Sequence, residues 1–204
     1  MIIFLVRHAS AGQTKANPAQ DDKRPLDSEG IEQCQQMGRF LSAIKAEVDL
    51  ILSSPLKRAT QTAAFVGNEM GSNSRLQVEP ALKPTASFEQ FQELLRTHSK
   101  LEALMVVGHN PTISHFLSRL VTRGANDRAF EMKKGSIARI EVSANKAVLR
   151  WLVTPKIVQA LSGSPTDVRQ PNAKDETPHS KRMETPVPPK KRKSATAKAA
   201  KQKS

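Results

Sequence analysis

Tyrosine is absent, tryptophan and cysteine occur once each, and aromatic residues make up only 4% of the 204 residues. Hydrophobic residues reach 38%, which is lean for a chain folded along its whole length. One domain with a sizeable core beside an unfolded portion is therefore predicted. A single cysteine, Cys34, cannot close an internal disulfide and has no partners for zinc. It reads as a small buried side chain, and a reducing, cytoplasmic setting is expected. No run approaches the ~18–20 apolar residues of a membrane span, and the short apolar start lacks the basic flank of a signal peptide. Neither an acidic cluster nor a Cys/His spacing suggests a metal, and no GxxxxGK[ST] element is found. No cofactor and no internal repeat are expected.

Charge is plentiful but unevenly placed. Of a formal net charge of +13, +7 falls on residues 163–204, where eleven Lys and Arg face four Asp and Glu. Prolines recur there and apolar residues thin out, so this stretch reads as a disordered basic tail. Residues 1–162 are taken as the folded, catalytic domain. The run Pro188-Pro189-Lys190-Lys191-Arg192-Lys193 looks like a nuclear localisation signal, and nucleic acid is expected as a partner only through this tail. No membrane partner is expected, and the chain reads as a monomer.

Within the domain, short apolar runs end abruptly at polar residues. Met1 to Val6 stops at Arg7-His8, Asp49 to Leu52 at Ser53-Ser54-Pro55, and Ala103 to Val107 at Gly108-His109-Asn110-Pro111. Such runs fit strands buried on both faces. Leu76 to Val78 is a weaker strand. Between them lie amphipathic patterns. One follows a cap at Asp27 or Ser28 and carries Ile31, Met37, Phe40, Leu41 and Ile44. A second starts near Leu56 and packs through Ala59, Ala63, Ala64 and Val66, with Gly67 to Ser74 as a loop. Two more carry Phe88, Phe91, Leu94, Leu95 and Ile113, Phe116, Leu117, Leu120. Gln13 to Lys23 reads as an exposed loop. Ser136 to Val142 and Ala147 to Val153 alternate and predict a closing hairpin. Strands alternating with helices predict an α/β fold, a three-layer αβα sandwich with a mostly parallel sheet, helices on both faces and a C-terminal hairpin.

Ligands of such folds sit beyond the carboxyl ends of the strands. Arg7, His8, Arg58 and His109 all fall there. Read singly, each admits a structural role: a strand cap, a surface salt bridge, a buried histidine. Read together, two arginines and two histidines suggest one pocket for a tetrahedral dianion. Guanidinium groups match phosphate oxygens, and a neutral imidazole can attack phosphorus and carry the phosphoryl group. Arg24 is a further candidate substrate-binding residue.

The segments Leu5-Val6-Arg7-His8-Ala9, Ser53-Ser54-Pro55-Leu56-Lys57-Arg58-Ala59-Thr60-Gln61-Thr62-Ala63 and Val107-Gly108-His109-Asn110-Pro111 resemble the histidine phosphatase superfamily, whose fold is phosphoglycerate mutase-like. The small size and the Arg24-Pro25-Leu26 to Gly30 segment look like its short branch, the SixA-type phosphohistidine phosphatases. The resemblance spans Met1 to Val153. It implies that His8 is the nucleophile and that Arg7, Arg58 and His109 stabilise the phosphoryl transition state. Two departures stand out. Ala9 replaces the usual glycine. Where larger members carry a general acid in a Leu-x-Glu element, this chain reads Leu82-Lys83-Pro84, leaving Glu79 as the candidate substitute. An imidazole leaving group with a proton on its far nitrogen departs without such an acid, whereas an alkoxide needs one. The resemblance therefore implies a metal-independent phosphatase acting in signal transduction on a phosphohistidine-containing phosphotransfer protein. The alternatives are a phosphomonoesterase for a small phosphorylated substrate and, in another class, a tail-driven binder of nucleic acid or acidic partners.

Overall fold

A computed structural model describes residues 1–143 and 146–163. The basic tail, including the run 188–193, lies outside the described residues. Strands β1 (Ile2–Arg7), β2 (Leu50–Ser53), β3 (Arg75–Val78), β4 (Ala103–Gly108), β5 (Ile137–Ser143) and β6 (Lys146–Val153) form one sheet in the order β3-β2-β4-β1-β5-β6. The first four are mutually parallel, while β5 runs antiparallel to both β1 and β6. The predicted hairpin thus closes one edge of a parallel sheet.

Strand periodicity divides the core in two. Ile3 and Leu5 of β1, Leu50 and Leu52 of β2, and Leu104 and Val106 of β4 face α4 (Phe88–Thr97) and α5 (Thr112–Thr122). Phe91 and Phe116 stack there, their rings 4.5 Å apart. Phe4, Val6, Ile51, Met105 and Val107 point the other way, onto Cys34, Met37 and Leu41 of α2 (Ser28–Ala43) and Ala59, Ala63 and Val66 of α3 (Lys57–Glu69). Alternation at period 2 against helical faces at period 3.6 yields the three layers. Asp27 caps α2 by accepting from the Gly30 amide at 2.7 Å, as its sequence position predicts.

Several expectations need correction. The loop 13–23 contains a short helix, α1 (Pro18–Asp22), capped by Asn17. Ala64 is exposed on α3 and Ile44 is 45% exposed just past α2. Gly67 lies inside α3 rather than in a loop, because the helix packs so close to β2 that an added Cβ would stand 2.9 Å from Ile51. A last helix, α6 (Pro155–Leu161), escaped the sequence reading although Thr154-Pro155 carries a start signal.

Candidate active site

Strands β2, β4 and β1 are consecutive in the sheet, so their carboxyl ends stand side by side. Arg7 is level with Gly108, and Ser53 with Val107. The ladder continues one step past the strands: the His8 amide donates to Gly108 O and the Ser54 amide to Val107 O, each at 3.0 Å. That register brings residues 8, 54 and 109 to one edge, and the His8 and His109 rings lie 5.0 Å apart. Both histidines are buried, at 8% and 2% exposure.

His8 Nδ1 lies 2.8 Å from the Ala9 carbonyl oxygen. A carbonyl only accepts, so Nδ1 carries the proton and Nε2 keeps its lone pair. Burial, followed by the positive field of Arg58, Arg7 and Arg24, lowers the His8 pKa to about 4. The ring is therefore neutral at pH 7 and presents a nucleophilic nitrogen. The loop that supplies the Ala9 carbonyl is firmly anchored. Ala9 N donates to Thr62 Oγ1 at 3.1 Å, Ser10 N to Gln33 Oε1 at 2.9 Å, and Ser10 Oγ and Gly12 N both reach Asp27 Oδ2. Gly30 lets α2 press against this loop, since a Cβ there would fall 2.0 Å from Ser10 O.

The cations converge on the same edge. Arg7 Nη1 donates to the Met132 carbonyl at 2.8 Å, leaving its Nε buried without a partner. Arg58, 6% exposed in the first turn of α3, donates through Nη1 to the Asp21 carbonyl at 2.8 Å and lies 3.2 Å from Asp21 Oδ2. Its Nε is also unpartnered. Burial lowers the pKa of both guanidinium groups, but they remain charged. Buried guanidinium N–H groups without acceptors are what an incoming anion would satisfy. His109 Nε2 lies 2.8 Å from Ser54 Oγ, and its Nδ1 is buried without a partner. Burial, then the nearby His8 and Arg58, lower its pKa to about 2.

Arg24 stands beside this group rather than in it. Its Nε pairs with Asp21 Oδ1 at 2.8 Å, and its Nη1 donates to the Ala11 and Gly12 carbonyls at 2.7 and 3.1 Å. It braces the loop after β1 and adds its charge to the field on both histidines. Glu79 stays at the edge of the sheet, where its carboxylate accepts from Gln77 Nε2. Strands β2 and β4 separate β3 from β1, roughly 14 Å at the usual strand spacing. The Pro84 carbonyl accepts from Thr112 Oγ1 at 2.6 Å, so Leu82-Lys83-Pro84 packs against α5 without delivering an acid.

Sequence reasoning missed several partners. Asp21 joins Arg24 to Arg58 from α1, Ser54 holds His109, Thr62 holds the Ala9 amide, and the Met132 carbonyl receives both Arg7 and Asn110 Nδ2. Only Ser54 and Thr62 had a visible cue, since both fall inside the segment that carries Arg58. Beside the site, a groove of about 860 Å³ runs past Asn110, Thr112, His115, Arg128, Phe130 and Glu131.

Comparison with known proteins gives a consistent outcome. Residues 3–86 match the family model described as the histidine phosphatase superfamily (branch 1), a stretch that includes Arg7, His8 and Arg58. The chain is 26% identical over 157 residues to the phosphohistidine phosphatase SixA of Escherichia coli K12, covering 76% of this chain and 94% of that protein. Its fold superposes on the protein histidine phosphatase SixA complexed with tungstate with a TM-score of 0.70 at 24% identity, covering 78% of this chain and 99% of the other. The α-ribazole phosphatase of Shigella flexneri also superposes, with a TM-score of 0.62 at 20% identity over 76% and 97% of the two chains.

Proposed function

Since this chain belongs to the histidine phosphatase superfamily, we propose that it is a phosphohistidine phosphatase that removes the phosphoryl group from a phosphotransfer protein through a covalent intermediate on His8. The observation that carries the reading is the state of His8: neutral, with Nδ1–H bound to the Ala9 carbonyl and Nε2 free, 5.0 Å from His109 and in the field of Arg7 and Arg58. Nε2 attacks phosphorus as the bond to the substrate imidazole breaks. The bonding pair returns to that imidazole, which already holds a proton on its far nitrogen and leaves neutral. Arg7, Arg58 and His109 hold the equatorial oxygens through the loose transition state. Water then attacks the phosphorylated His8, both its protons leaving with the product as dihydrogen phosphate, and the ring returns to its neutral form.

Three features favour this substrate over an ester. The position of the usual acid is Pro84, and Glu79 is tied to Gln77, its neighbour two residues back, at the edge of the sheet. An alkoxide would leave such a pocket unprotonated. The groove beside Asn110 is large and of mixed polarity, as suits the polypeptide around a phosphohistidine. The SixA proteins it resembles carry that activity in their names. Residues 1–162 suffice for this chemistry in our reading, in a cytoplasmic setting and as a monomer. Among the described residues no helix is long and apolar enough to cross a membrane.

The test offers a phosphohistidine protein and a panel of phosphate esters to wild type and His8→Ala. Turnover of the phosphohistidine protein that vanishes in His8→Ala is expected. Faster turnover of the esters would establish the phosphomonoesterase alternative, and activity retained in His8→Ala would overturn the mechanism. Removing the residues after Gly163 should leave turnover intact, whereas a binder acting through its tail would lose its partner.

A further inference from the structure

The pocket holds a second histidine whose role depends on which of its nitrogens carries the proton. His109 is neutral at pH 7, because burial and the adjacent His8 and Arg58 depress its pKa to about 2. A neutral imidazole has one N–H and one lone pair, and the hydrogen bond made by one nitrogen fixes the state of the other. Here Nε2 meets Ser54 Oγ at 2.8 Å, and Nδ1 is buried with no partner.

Ser54 is fully buried at the turn between β2 and α3, where its register beside Val107 places it next to His109. Among the described residues, its hydroxyl makes two hydrogen bonds. The Leu56 amide at 3.4 Å donates to Oγ, as in a serine turn before a helix. The remaining contact is His109 Nε2. Were Nε2 protonated, Oγ would accept twice and its own hydrogen would be left without an acceptor on a fully buried side chain. Were Nε2 bare, the hydroxyl would donate to it, and every group on the serine would be satisfied. The first arrangement strands two buried groups, the serine hydrogen and the Nδ1 lone pair, whereas the second strands only Nδ1–H, and each unsatisfied buried group costs about 1–3 kcal/mol. The group left without a partner is then a donor, which a bound anion can satisfy.

We propose that Ser54 is a positioning residue: its hydroxyl donates to His109 Nε2 and holds the ring as the Nδ1–H tautomer, so that Nδ1 is the nitrogen that donates to the bound phosphoryl group. This rests on the phosphatase reading above and deepens it. A neutral histidine serves as a donor without being protonated, and the serine keeps it from presenting a lone pair to the anion.

The direct test is spectroscopic and needs no turnover. In the full chain labelled with ¹⁵N at histidine, two-bond proton–nitrogen correlations, assigned with His109→Gln, should show His109 protonated at Nδ1 between pH 6 and 8. Protonation at Nε2 would overturn the proposal whatever the substrate is, and a failure of the phosphohistidine reading would leave this measurement unaffected. Ser54→Ala should show a mixture of tautomers and a fall in kcat of about 10-fold or more with KM changed far less, because the lost donor acts most strongly on the transition state. Ser54→Thr, which keeps the hydroxyl, should restore the Nδ1–H tautomer and most of kcat. A Ser54→Ala protein with the wild-type tautomer and wild-type kcat would also overturn the proposal. If Ser54→Thr proves too large for its buried site and does not fold, the wild-type spectrum still decides.

Discussion

Acidification from pH 8 to pH 5 should destabilise the fold by about 4 kcal/mol through His8 and His109 alone. An unfolded histidine titrates near pH 6.5, so at pH 5 each ring in the unfolded chain binds a proton almost completely. In the folded state the rings, with pKa values of about 4 and about 2, stay essentially neutral at pH 5. The unfolded state therefore binds more protons, and stability falls with pH below 6.5 by 2.3RT per pH unit per ring. Over 1.5 units this comes to about 2 kcal/mol for each histidine. The result depends only on both native values lying below 5, not on how far below. The carboxylates do not interfere: Asp21 and Asp27 are held below the ordinary carboxylate range, so their contribution is lost only at lower pH. Urea unfolding at pH 8, 6.5 and 5, followed through Trp151, which packs beside Phe4 and Phe40, would measure the effect. His8→Gln and His109→Gln should each remove about half of the pH dependence. A loss below 1 kcal/mol, or a slope unchanged in the double variant, would refute the claim that the site holds two buried neutral histidines.

Two further substitutions probe the scaffold. Gly30→Ala places a Cβ 2.0 Å from Ser10 O, backbone against backbone, and should cost about 3 kcal/mol or more in urea unfolding while reducing turnover, because the displaced loop carries the Ala9 carbonyl; a cost below 1 kcal/mol would show that α2 moves away freely. Asp21→Asn removes the carboxylate that shares Arg58 with any bound anion, so inorganic phosphate should inhibit about 5-fold more tightly, roughly 1 kcal/mol of Coulomb energy; weaker inhibition would mean that the carboxylate serves mainly to hold Arg58 in place.

What the sequence made legible is what physics concentrates locally. Apolar runs that stop at Arg7, Ser53 and Gly108 mark strand ends, because a strand buried on both faces must be apolar throughout and the polar side chains of the site begin where the strands end. Asp27 could be read as a cap because its acceptor serves an amide three residues away. Contacts made across the fold were not readable. Asp21 and Arg58 are 37 residues apart and meet only because α1 folds back over the strand ends. The group that fixes Arg7 is a main-chain carbonyl at Met132, which any residue type could supply. Ala64 was misplaced because alanine reads the same on either face of a helix, and α3 turns it to solvent. Glu79 looked like an acid near the site in sequence, but β3 is the strand farthest from β1 on that side of the sheet.

The arrangement also explains how arginines and histidines can share so small a space. Burial makes a charged imidazole costly here, and the repulsion of Arg58 and Arg24, joined at His8 by Arg7, adds to the penalty, so both rings give up their protons. That is the state a nucleophile requires. The field of these guanidinium groups, which adds to burial in keeping His8 unprotonated, would also attract a phosphoryl dianion, so in the proposed mechanism one set of cations helps to prepare the attacking nitrogen and neutralises the group it attacks. In the proposed mechanism the charge of a seated dianion offsets that field at both rings, so a cationic phosphorylated His8 is tolerable where a cationic free His8 is not. The reversal needs no movement of the backbone. It follows from placing permanent cations and titratable rings at the ends of adjacent parallel strands, where the sheet register sets their spacing.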